Sequence, residues 1–275
     1  MLPIILLLLI TAVSTEKCQY KFDTMGVSRT VAFTIKGLPT NLVYNHENKD
    51  LLFTLIDLET LQNDDVQTKM DQYVLRSDNL IKVDNVKGQS AAVDSINNKV
   101  YIATDEGLTV LNGTYKAEYV GLNGEDIVQL YKPQHNKEIY VVMFPDNDVY
   151  MYNTETKEKK RVDNVPCAYF LAVDENDNIY YECDSKYVKV LLKDFQEPIE
   201  FVGLGKNAGR AIAIDNTGMV VLAANDGLYG LRPNNIIPKK LMNLEYVPSG
   251  IVFADSSFYV ATNGIIYKYD FVCDD

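Results

Sequence analysis

One pattern recurs along this chain. An apolar run ends in Asp, Asn or Pro, a polar turn follows, and an alternating Tyr/Val/Ile run comes next. The clearest copies are "AAVDSINNKVYIAT" (91–104), "LAVDENDNIYYEC" (171–183), "AIAIDNTGMVVLAA" (211–224) and "GIVFADSSFYVAT" (250–262). Looser copies are "LVYNHENKDLLFTL" (42–55) and "VQLYKPQHNKEIYVV" (128–142). The first turn residue of each copy is Asn45, Asp94, Pro133, Asp174, Asp215 or Asp255, which gives intervals of 49, 39, 41, 41 and 40 residues. A fixed period of this length marks an array of small structural units that share a continuous core.

Each unit reads as four short strands. In the fourth, residues 168–173 form the innermost strand A, "NIYYEC" strand B, "YVKVLL" (187–192) strand C and "PIEFVGL" (198–204) strand D. β-branched and aromatic residues dominate these runs, and helical periodicity is scarce. Four-stranded units at this period imply an all-β fold, a six-bladed β-propeller. The last unit ends after strand C, and "RTVAFTIKG" (29–37) reads as a strand D with no blade of its own. That N-terminal strand is expected to complete blade six and close the ring, leaving no open sheet edge.

The acidic stretch Asp174–Asn178 raises the question of a cation loop. Asp174, Asn176 and Asn178 imitate the first ligands of an EF-hand, but Ile179 stands where the glycine belongs and Ser185 where the terminal glutamate belongs. The stretch reads as the A–B hairpin turn of blade four.

The chain opens with "MLPIILLLLITAVST", a short apolar run followed by small residues. Residues 1–14 are expected to be a secretory signal peptide and 15–275 a single propeller domain, secreted and extracellular. Four cysteines in a secreted chain imply two disulfides, with three possible pairings. Cys18 and Cys273 flank the closure and are expected to pair. Cys183 falls opposite roughly residue 169 across the blade-four turn, which pairs it with Cys167. "NGT" places a glycosylation sequon at Asn112, in a C–D turn. With only two histidines, His46 and His135, both in A–B turns, a zinc site is not expected.

The net charge of −12 disfavours nucleic acid and anionic membranes as partners. A closed ring has no free edge, so a monomer is expected. In a propeller the ligand mouth is built by residues just before each strand A and by the B–C links. Here these include Asn41, Gln89, Glu125, Asp126, Tyr169, Phe170 and Arg210, with Asp105, Phe144, Asp146, Glu182, Asp226 and Asn263 from the links. Arg210 is suited to a ligand carboxylate or to an ion pair with Asp226. Alternation allows only one of Tyr169 and Phe170 to face the channel. Asn41, Gln89, Phe144, Tyr169, Phe170 and Arg210 are the candidate ligand-binding residues.

Six-bladed calcium-dependent lactonases are similar in size and fold, and Glu125, Asp126 and Asn41 are conceivable ligands for their metal. The "EGP" plus aromatic motif of their first blade is absent, blade one offers "GLPTNLVYN", and no Gly-x-Ser-x-Gly elbow occurs. No enzyme, metal or cofactor is expected. A lactonase-type hydrolase and an extracellular protein-interaction propeller are the alternatives. The segments "EKCQYKFDTMGVSRTVAF", "YNHENKDLLFTLIDLE", "CAYFLAVDENDNIYYEC" and "YKYDFVCDD", with the cysteine pattern, resemble the insect ommochrome-binding proteins, secreted chromoproteins of lepidopteran haemolymph. That resemblance implies a non-enzymatic carrier of an ommochrome, a planar, carboxylated phenoxazinone pigment, for transport or storage.

Overall fold

The computed structural model describes residues 18–62, 67–84, 86–113, 115–183 and 187–273, with the backbone alone for 272 and 273. The expected signal peptide lies outside these residues. Six antiparallel sheets form a ring, a six-bladed β-propeller. Blade one holds β3 to β6 (Leu38–Asn45, Asp50–Ile56, Met70–Arg76, Asn79–Lys82), and the next four blades each take four consecutive strands. Blade four comprises β15 to β18: Phe170–Val173, Ile179–Cys183, Tyr187–Leu191 and Ile199–Glu200.

Blade six closes as expected, with a difference in extent. β2 spans Met25–Thr34 and pairs with β25 (Ile265–Cys273), from Ser28 opposite Asp270 to Thr34 opposite Ile265. A further strand, β1 (Tyr20–Phe22), folds back on β2 and makes this sheet five-stranded. The guanidinium of Arg29 lies over the rings of Tyr20 and Tyr267, at 4.6 and 4.9 Å, so the hairpin is clamped by cation–π contacts. The side chain of Cys273 lies outside the described residues, so the expected Cys18–Cys273 bridge does too.

The long first interval has a simple cause. Blade one joins its strands B and C through Asp57–Lys69, which includes the short helix α1 (Leu58–Leu61) capped by Asp57, whereas blade two needs only Asp105 and Glu106.

The core is divided among the seams between blades. Six clusters of buried side chains each join one neighbouring pair of blades. The B strands of blades two to five are buried on both faces over nearly their whole length, so their hydrophobic pattern is continuous rather than alternating. In Ile139–Met143, for example, Ile139, Val141 and Met143 pack toward blade two while Tyr140 and Val142 pack toward blade four.

The A–B turns are held by their own acids and amides. Asp174 Oδ1 accepts from the amides of Asn176 and Asn178 at 2.9 and 3.0 Å, and Oδ2 accepts from Asn178 Nδ2 and the Tyr180 hydroxyl. Asp94 and Asp215 accept turn amides in the same way. Other turn side chains bridge adjacent blades at this end of the ring. Asn45 reaches Asn98, Gln134 reaches the Val93 carbonyl, His135 pairs with Asp177 and His46 with Asp255. No described helix is long and apolar enough to cross a membrane.

Candidate functional site

The six A strands surround a channel of about 1030 Å³. Its upper mouth lies at the heads of these strands, where four of the blades carry a register shift. The shifts fall between Thr40 and Val43, Gly88 and Ser90, Ile127 and Gln129, and Gly209 and Ala211. Asn41, Gln89 and Arg210, three of the expected ligand residues, therefore sit in β-bulges. A bulge interrupts the ladder and re-aims a side chain. Asn41 adds a left-handed φ of 49°.

The bulges serve two purposes. In blades one to three the side chains are used among themselves. Asn41 Nδ2 donates to the Gln89 carbonyl at 2.7 Å, and Gln89 Nε2 donates to Asp126 Oδ1 at 2.6 Å. Glu125 receives Lys159 at 2.7 Å. Each contact uses one atom of its side chain, Nδ2 of Asn41, Oδ1 of Asp126 and Oε1 of Glu125, and Gln89 points along this belt rather than into the channel. Phe144, 60% exposed, also lies off the channel, on the B–C link of blade three. Among the described residues no three His, Cys, Asp or Glu side chains converge as metal ligands.

Between blades four and five the arrangement differs. Tyr169, Phe170, Glu182, Asn207, Gly209 and Arg210 all border the channel here. Tyr169 is 53% exposed at the rim, while Phe170 is 8% exposed and packs in the seam, as alternation requires. Arg210 does not pair with Asp226. Its Nε donates to Asn225 Oδ1 at 2.6 Å, and Asp226 binds Lys240 and the Tyr229 hydroxyl. Asn225 in turn donates to the Asn207 carbonyl, so a short amide chain positions the guanidinium.

Glu182, expected at the mouth as one of the B–C link residues, is not among the candidate ligand-binding residues. It stands opposite Phe170 in the ladder and is 3% exposed, and its Oε2 has no hydrogen-bond partner. Burial pushes its carboxyl up to about 7, and Arg210 draws it part of the way back. Room for it comes from Gly209 on the next blade, where a Cβ would collide with Oε2 and with the Phe170 ring. A glycine heading a strand in one blade, opposite an acid ending a strand in the previous blade, was the available sequence signal. The Cys167–Cys183 disulfide, with Cα atoms 5.3 Å apart, ties the end of the Glu182 strand to the segment leading into Tyr169. The Tyr169 amide donates to the Glu182 carbonyl at 2.9 Å, which completes that brace. By loop entropy a bridge over this span is worth about 3 kcal/mol.

No family model matches the chain, and no curated protein matches it. Solved structures do. A gluconolactonase from Xanthomonas campestris is similar with a TM-score of 0.69 at 9% identity, over 89% of both chains. A luciferin-regenerating enzyme gives 0.63 at 12% identity, over 89% of this chain and 95% of that one. A virginiamycin B lyase from Staphylococcus aureus gives 0.59 at 9% identity, over 90% and 99%. At such identities the likeness establishes the architecture: this chain shares the propeller fold of these proteins.

Proposed function

We propose that the protein is a secreted propeller that binds a small, planar, carboxylate-bearing molecule at the upper mouth of its channel. The observation that carries this reading is the seam between blades four and five. There a guanidinium positioned by Asn225, a half-exposed tyrosine ring and a buried carboxyl with a free oxygen border one cavity. Arg210 takes the ligand carboxylate, for which its terminal nitrogens are suited. Tyr169 covers the ring. The sequence resemblance makes an ommochrome the first ligand to test, and the protein then acts as a carrier.

A hydrolase reading has its own supports. The similar folds belong to proteins named as enzymes, gluconolactonases among them, and Glu182 has a carboxyl suited to accept a proton near neutral pH. Fold likeness favours the enzyme. That no three His, Cys, Asp or Glu side chains converge among the described residues weighs against its metal-dependent form.

Absorbance titration with an oxidised ommochrome, with and without a chelator, separates the readings. A saturable shift at one pigment per chain that the chelator leaves unchanged, with affinity about tenfold weaker in Tyr169→Ala, supports the carrier. Turnover of lactones by the wild type, abolished in Glu182→Gln, replaces it with the hydrolase. Absence of both overturns the channel-mouth site.

A further inference from the structure

The proposed carboxylate site accounts for Arg210 and Tyr169 and leaves Glu182 without a task. A buried carboxyl oxygen with no donor is costly, because such a group loses water and gains nothing in exchange. The rest of blade four shows how readily the fold satisfies an acid, since both oxygens of buried Asp174 are engaged. Here the fold keeps the cost and makes space for it. Gly209, the one residue whose missing side chain admits the carboxyl, heads the neighbouring strand. The Cys167–Cys183 bridge fixes the strand end beside it.

Arg210 is near enough to act on Glu182 electrostatically, yet the two form no ion pair. The guanidinium instead gives its Nε to Asn225 and stands apart. Two opposite charges held side by side but unpaired are complementary to a ligand that carries the same two charges in reverse. We propose that Glu182 and Arg210 together recognise an amino-acid-like headgroup, Glu182 receiving the ammonium and Arg210 the carboxylate, with Tyr169 over the aromatic ring attached to it. This rests on the channel-mouth reading and narrows it: the ligand is a zwitterionic aromatic amino acid or a larger pigment that bears such a headgroup.

The pairing has a pH signature. An ammonium binds the ionised carboxylate. With a carboxyl at about 7, roughly a tenth of Glu182 is ionised one pH unit below that value and roughly nine tenths one unit above it. Arg210 is the charged side chain that acts on it. Affinity for an amine-bearing ligand therefore rises about tenfold from pH 6 to pH 8, and the proton released on binding falls from about nine tenths per site at pH 6 to about a tenth at pH 8.

The test uses the full mature chain and three fluorescent probes with one ring system: 3-(2-naphthyl)-L-alanine, 2-(2-naphthyl)ethylamine and 3-(2-naphthyl)propionate. At pH 8 the amino acid is expected to bind at least tenfold more tightly than either partner. In Glu182→Gln the amino acid and the propionate should bind within twofold of each other, with no pH dependence. In Arg210→Ala the amino acid and the ethylamine should converge in the same way. Near-UV circular dichroism checks that both variants keep the native fold. Equal affinity of the wild type for amino acid and propionate, or no binding of the amino acid, overturns the headgroup assignment. An ommochrome titration on the same samples separates the two levels. If pigment binds and weakens in Tyr169→Ala while the naphthyl series shows no discrimination, the channel-mouth site stands and the headgroup assignment falls. If neither binds, both fall.

Discussion

Two acids of blade four sit at opposite ends of the same hairpin and meet opposite fates. Asp174 at the lower turn is 5% exposed and accepts two turn amides, the Asn178 side chain and the Tyr180 hydroxyl. Glu182 at the upper end is 3% exposed and has an oxygen with no partner. Both are buried carboxyls in one short stretch of sequence. The difference shows that burial of an acid is no guide to its role, whereas its complement of donors is. The satisfied acid builds the turn. The unsatisfied one lies against Gly209 beside the channel, and no donor of the described chain reaches its Oε2.

This contrast can be broken by mutation. The largest effect is expected from Asp174→Ala, which strips partners from the amides of Asn176 and Asn178 and from the buried Tyr180 hydroxyl. A loss of about 4 kcal/mol in urea unfolding is expected, at one to a few per orphaned group. A loss under 1 kcal/mol would show that water repairs the turn and would weaken the structural reading of that acid.

Glu182→Gln should do the reverse. The carboxyl of the folded chain lies at about 7, above its ordinary value of 4.5. The native state therefore holds this proton more tightly than the unfolded chain does. The stability it confers is complete below about pH 4.5 and is lost as pH rises through about 7. The uncharged variant escapes that loss. It should be more stable than the wild type at pH 8 by about 2 kcal/mol, and close to it at pH 5. Unfolding at the two pH values measures this, and a variant less stable than the wild type at pH 8 would mean that the carboxylate has a structural partner after all. The smallest effect sharpens the comparison at the rim. Tyr169→Ala should change stability by less than about 0.5 kcal/mol, because the ring is half exposed, even where it weakens ligand binding.

The blade register was legible because it rests on local chemistry repeated in four of the six blades. Asn45, Asp94, Asp174 and Asp215, each at a first turn position, accept nearby amides, so the turn announces itself in the sequence. The Cys167–Cys183 pair follows from that register, since a hairpin turn fixes what stands opposite. The irregular parts were less visible. β1 is three residues long and gains its place by packing Phe22 among Phe253, Phe258 and Phe271, none of which lies near it in sequence.

The candidate site divides in the same way. Blade geometry alone puts Asn41, Gln89, Tyr169 and Arg210 at the heads of strands near the mouth. Which of them face the channel depended on contacts between blades. Gln89 is drawn aside by Asp126, and Arg210 is turned from Asp226 by Asn225 while Lys240 takes Asp226. Glu182 was one acid among many until Gly209 of the next blade was placed against it. The sequence by itself thus determined the ring, its closure and the height of each residue along the channel, because those depend on period-two strands and self-satisfied turns. Only the tertiary structure decided which charges are paired within the fold and which are not, because that depends on partners brought together across a seam.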